Sequence, residues 1–122
     1  MIRNQKLEEA RCANVFDEVL EALGMDWLTV HHKFSTKTDG DDARVAAETT
    51  TDWEYLQAGV EWRLPITLLL TDLELKRVAV HEAVHMLVAS MEMQIPDEPL
   101  ANKICELAVE HVTRAILEVL PE

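Results

Sequence analysis

Thr71-Asp72-Leu73-Glu74 is a capping box: the Thr hydroxyl can accept a backbone N–H of the first turn, and Glu74 can reach back to the N-cap N–H. A helix opening there runs to about Met91, supported by the apolar residues Val78, Val80, Val84 and Leu87. Its side chains then have defined directions. His81 and His85 are four apart, so both imidazoles project from one face about one turn apart.

That pair belongs to the run His81-Glu82-Ala83-Val84-His85. Two imidazoles at this spacing can bind one Zn²⁺ through ring nitrogens roughly 2.0–2.1 Å from the ion. Glu82 stands beside such an ion rather than on it, where its carboxylate can take a proton from a water that the ion acidifies. The competing reading makes both histidines ordinary, partly buried helix residues and the match an accident; the helical context favours the metal. Zinc also needs a third protein ligand and an open position. Glu106, 106 − 85 = 21 positions after His85, and Glu110, one turn further on the same face, are candidates. In a chain this acidic, either can equally be part of a solvated helix face. Asn102 lies one turn before Glu106.

The remaining segments predict a single α+β domain over residues 1–122: an N-terminal helix within 1–24, a small three-stranded antiparallel sheet within 26–66, the His-bearing helix at 71–92 and a C-terminal helix at 97–120. Cys12, Val15, Phe16, Val19, Leu20 and Leu23 form an apolar stripe at helical spacing, and Gly24 sits where that helix should stop. Strands are expected from Trp27 to Phe34, Arg44 to Trp53 and Gly59 to Leu64, with a turn at Thr38 to Asp42. Pro65 implies that the third strand lies at an edge or ends there. A break around Pro96 and Pro99, with Asp97 as N-cap, lets the last helix fold back on the His-bearing one. Trp53, Trp62, Met86, Met91 and Met93 read as core or sheet-face residues.

Charge narrows the partners. Lys and Arg number 11 against 23 for Asp and Glu, a formal net charge of −12. Such a surface repels phosphate backbones and anionic membranes, so neither nucleic acid nor membrane is expected as a partner. Cys12 and Cys105 form no CxxC pattern and read as reduced, buried thiols. With the polar N-terminus Met1 to Glu9 lacking the apolar run of a signal peptide, they point to the cytoplasm.

Other candidates are weaker. His31 and His32 are adjacent on an expected strand and point to opposite faces; one of them, or Tyr55 before the third strand, can be considered as stabilising an oxyanion. His111 faces a different side of its helix from Glu106 and reads as a packed or surface residue. The chain has no GxGxxG, no P-loop and no setting for a Ser or Cys nucleophile.

With His81, Glu82, His85 and Glu106 in this order, the chain resembles the gluzincin metallopeptidases, in particular the minimal minigluzincins, and also short HExxH proteins of bacteriophages and prophages. The resemblance covers about Trp27 to Leu120, but only those four residues are specific. It implies a zinc peptidase with Glu106 as third ligand, Asn102 as its supporting partner, Glu110 as alternative ligand or orienting carboxylate, and Gly59 to Leu64 as an edge strand that holds a peptide substrate. Two rivals remain: a zinc-stabilised interaction protein without hydrolytic activity, and a plain α+β binding domain without metal.

Overall fold

In the computed structural model, which describes residues 4–36, 45–52, 55–92 and 98–119, helix α1 spans Gln5–Ala22 and turns its apolar stripe inward. Cys12, Phe16, Val19 and Leu20 are buried, and Val15 and Leu23 pack against them. Gly24, at φ +70°, ends the helix with the Met25 N–H on the Leu20 carbonyl (2.8 Å) and its own N–H on that of Glu21 (3.1 Å). This is the paired closure that a left-handed residue permits. The expected turn at Thr38 to Asp42, Arg44, Trp53, Met93 and the break around Pro96 and Asp97 lie outside the described residues, as does the Met91 side chain.

Strands β1 (Thr29–Ser35), β2 (Ala47–Asp52) and β3 (Gln57–Arg63) form one sheet in the order β1-β3-β2. β3 pairs parallel to β1 and antiparallel to β2, so the sheet is mixed rather than antiparallel. β3 lies between β1 and β2, and its inward side chains Ala58, Val60 and Trp62 are all buried, as suits a strand with a neighbour on each side. β3 is therefore the central strand and not an edge. Pro65 costs the sheet no ladder bond, because it follows the last paired residue, Arg63, and opens the short helix α2 (Leu64–Thr67).

One face of the sheet carries three rows: Phe34, Trp62 and Ala47; His32, Val60 and Thr49; Val30, Ala58 and Thr51. Trp62 is fully buried and meets Phe16 of α1 edge-to-face at 5.8 Å. Helix α3 (Asp72–Glu92) opens as expected: the Thr71 N–H donates to Glu74 Oε1 (2.9 Å), and the Glu74 N–H donates to Thr71 Oγ1 (3.1 Å). Packed against α1, β2 and α4 (Glu98–Val119), α3 buries Leu75, Ala79, Val80, Ala83, Val84 and Met86 completely. No described helix is long and apolar enough to cross a membrane.

The seat of α3 is held by a polar device. Glu8, 5% exposed, is paired with Arg11 at 3.0 Å. Arg11 also donates to the Thr67 and Leu70 carbonyls at 3.2 and 2.7 Å and reaches Asp72 at 3.1 Å. One guanidinium thus ties α1 to the turn from which α3 departs, and so sets where His81 and His85 are presented.

Candidate metal centre

His81 and His85 leave α3 on the side covered by α4, and their Nε2 atoms converge to 3.1 Å. Glu106 of α4 brings Oε1 to 2.9 Å from His85 Nε2. The ligand atoms of His81, His85 and Glu106 all lie within 4.8 Å of one another, the only such group of histidine, cysteine or acidic side chains among the described residues. Two nitrogens 3.1 Å apart, each about 2.0–2.1 Å from a shared ion, subtend about 100° there, close to a tetrahedral angle. Two imidazole nitrogens and a carboxylate oxygen are a donor set that suits a divalent transition ion and leaves a further position open. This cluster can hold a metal ion.

Glu110 takes a different place. Its Oε1 lies 3.0 Å from Nδ1 of His81, the ring nitrogen turned away from His85. A carboxylate there can accept the Nδ1 proton and hold the ring with Nε2 turned toward His85, the orientation in which Nε2 would serve as a ligand. Both acids ride on one face of α4, which runs antiparallel to α3: His85 faces Glu106, and one turn on, His81 faces Glu110. Asn102 is exposed one turn before Glu106, and among the described residues no hydrogen bond joins the two.

Glu82 is 8% exposed and lies against β2, where Thr49 is near enough to favour its ionised carboxyl. Burial, joined by like charge from Glu106 and Glu48, pushes that carboxyl up to about 8 against the pull of Thr49. A divalent cation beside it would reverse the balance, since an adjacent positive charge favours the carboxylate.

A cleft of about 700 Å³ opens from this point. Its walls are Val45, Ala46 and Ala47 at the start of β2, Arg77, Val78, His81 and Glu82 of α3, and Glu110, Thr113, Arg114, Leu117 and Glu118 of α4. The strand bordering the site is thus β2, an edge strand, and not the segment Gly59 to Leu64, which is enclosed between β1 and β2.

His31, His32 and Tyr55 are not brought to the cluster. His31 is exposed on the opposite face of the sheet, near Thr50 and Asp52. His32 shares its row with Thr49 but sits on the far edge strand, about two strand spacings away. There its Nδ1 accepts the Trp62 indole N–H at 3.0 Å, and its Nε2 lies 3.5 Å from Asp17. Tyr55 is 66% exposed in the turn before β3, and His111 is exposed on α4.

Three contributors escape the motif. Thr49 is signalled only by the period-two alternation within Thr49-Thr50-Thr51, which sends Thr49 and Thr51 to the helix side. Arg77, one turn before His81, and Arg114, one turn after Glu110, are marked by helical spacing. A comparison with protein-family models, curated proteins and solved structures finds no match to this chain.

Proposed function

We propose that the chain is a minimal metallopeptidase of the gluzincin kind that holds one Zn²⁺ on His81, His85 and Glu106. The observation that carries the reading is the convergence of two imidazole Nε2 atoms and one carboxylate within 4.8 Å, with the buried Glu82 one residue along from His81. A structural zinc site closes its fourth position with a further ligand, and it has no use for an acid beside the ion.

When bound, the ion supplies Lewis acidity toward water and toward a substrate carbonyl oxygen. The chain's own residues do the rest. Glu82, in its carboxylate form, takes a proton from the attacking water and passes it to the leaving amine. Burial keeps Glu82 from hydrogen-bonding freely with bulk water, and Thr49 beside it favours the carboxylate form. Glu110 holds the His81 ring, and the cleft beside β2 receives the peptide.

A second reading, a metal-stabilised interaction protein, is favoured by the openness of the cluster: the Glu106 side chain is 59% exposed. Two measurements separate the readings. Metal analysis of the purified protein should find close to one zinc per chain. An unstructured protein substrate should be cleaved by the parent and not by Glu82→Gln, with zinc retained in both. Zinc in both and cleavage by neither would leave the interaction protein standing; no zinc would remove both readings.

A further inference from the structure

The described residues include the arginines Arg11, Arg63, Arg77 and Arg114. Arg11 is engaged with Glu8 and Asp72, and Arg63 with Glu48, in contacts that hold the fold. Arg77 and Arg114 both line the cleft that starts at His81 and Glu82. The antiparallel pairing of α3 and α4 puts them at the same level. His85 faces Glu106 and His81 faces Glu110, so one turn further on Arg77 falls opposite Arg114.

We infer that this end of the cleft is a subsite for a carboxylate of the peptide substrate, seated between Arg77 and Arg114; the inference rests on the peptidase reading above. Both guanidinium groups are exposed, Arg114 at 79%, so water screens their repulsion, and what recommends the pair is that one anion in the cleft can reach both. Acids already act on both: Glu74 attracts Arg77, and Glu110 and Glu118 flank Arg114, so a substrate carboxylate shares these guanidinium groups rather than filling an empty site. Glu110 gives one oxygen to His81 Nδ1 at 3.0 Å, and its other oxygen is 3.9 Å from Arg114. Glu82 lies at the opposite, catalytic end, and Glu118 is exposed one turn beyond Arg114.

Dimensions and lining agree with this occupant. One turn of α3 separates Arg77 from His81, about 6 Å along the axis, which is about two residues of an extended peptide. Val45, Val78 and Leu117 supply apolar wall for the methylenes of an acidic side chain or for the last residue of a chain. The guanidinium fork matches a carboxylate in two-pronged fashion. The chain as a whole, at a net charge of −12, is acidic, so this pair of arginines is a local exception at which an acidic group can be attracted.

A carboxylate can come from an Asp or Glu side chain or from the C-terminus, and the test separates the two. Glu82→Gln protein, as purified with its metal, is titrated with blocked alanine-based hexapeptides that carry one Glu or one Gln at each position in turn. A second arm uses the all-alanine peptide with a free or an amidated C-terminus. A Glu at one or two adjacent positions, or the free C-terminus, should bind roughly 10-fold or more tightly than its neutral counterpart. Arg77→Gln and Arg114→Gln, singly and together, should remove that advantage while leaving neutral-peptide binding and metal content unchanged. Binding that shows no preference for a carboxylate, or a preference that survives both substitutions, overturns the subsite. The same peptides offered to protein with Glu82 intact report on hydrolysis separately. An arginine-dependent preference without cleavage would keep the subsite and remove the peptidase. Cleavage without the preference would do the reverse.

Discussion

Glu110 meets His81 at Nδ1, 3.0 Å away, on the side of the ring opposite the nitrogen that faces His85. That contact separates the two acids of α4. Glu106 adds an oxygen to the cluster of ligand atoms, whereas Glu110 touches only the imidazole and would act on a bound metal through it. Removing the two should therefore have unequal effects. Glu110→Gln keeps an acceptor but loses the charge, and should weaken metal affinity about 10-fold to 100-fold. Glu106→Ala, which removes a ligand, should weaken it further. Competition against a chromophoric chelator would measure both, and equal losses would contradict the division of roles.

The buried Glu82 carboxyl makes the stability of the metal-free protein depend on pH. Its value in the fold, about 8, lies above the ordinary 4.5. Between those values the folded state binds the proton and the unfolded state does not, so stability is fully present below about 4.5 and is lost as pH rises through about 8. The loss attributable to this group is on the order of a few kcal/mol. Glu82→Gln cannot ionise. In chelator-treated samples it should therefore be more stable than the parent at pH 8.5, and close to it at pH 4.5. Denaturant titrations at the two pH values would show this. An equal difference at both would mean that Glu82 is ionised throughout.

How far the sequence reveals this arrangement depends on the range of the interaction involved. The capping box and the i, i+4 histidines are local, so α3 and the facing imidazoles can be read from residues 71–85 alone. The sheet order is not local. An antiparallel meander and the observed mixed sheet share the same three strands, and what distinguishes them is the non-local pairing of β3 with both β1 and β2, reflected in the burial of Ala58, Val60 and Trp62. The roles of Glu106 and Glu110 also need the tertiary pairing of α3 with α4, since both acids share one helix face and spacing alone leaves them equivalent. The burial of Glu8 is not legible at all: it falls in the polar N-terminal stretch, and only the structure shows Arg11 spanning both Glu8 and the turn before α3.

Arg11 should matter to stability more than its position on the first helix suggests. Arg11→Ala would leave the buried Glu8 carboxylate unpaired and the Thr67 and Leu70 carbonyls without their donor. Removing one partner of such a pair costs about 3 kcal/mol. Replacing both together, as Glu8→Leu with Arg11→Met, removes the stranded charge and should cost less than Arg11→Ala alone. Urea unfolding of the two variants tests the ordering, and the reverse ordering would show that Glu8 is solvated in the folded protein.

His32 provides the sharpest contrast between a histidine that holds the fold and one that serves the site. It accepts the hydrogen of the fully buried Trp62 indole, lies edge-on to Phe16 at 5.7 Å and stacks on Phe34 at 6.3 Å. His32→Leu keeps much of the apolar contact but leaves the indole N–H buried without an acceptor, at a cost of about 1–3 kcal/mol. Because the metal cluster borders β2 and His32 stands on β1 with β3 between them, the same substitution should leave metal affinity and any hydrolytic rate within about twofold of the parent at temperatures well below unfolding. Thermal unfolding and metal competition on one preparation would check both halves. A loss of metal affinity comparable to that of Glu110→Gln would mean that His32 reaches the site after all.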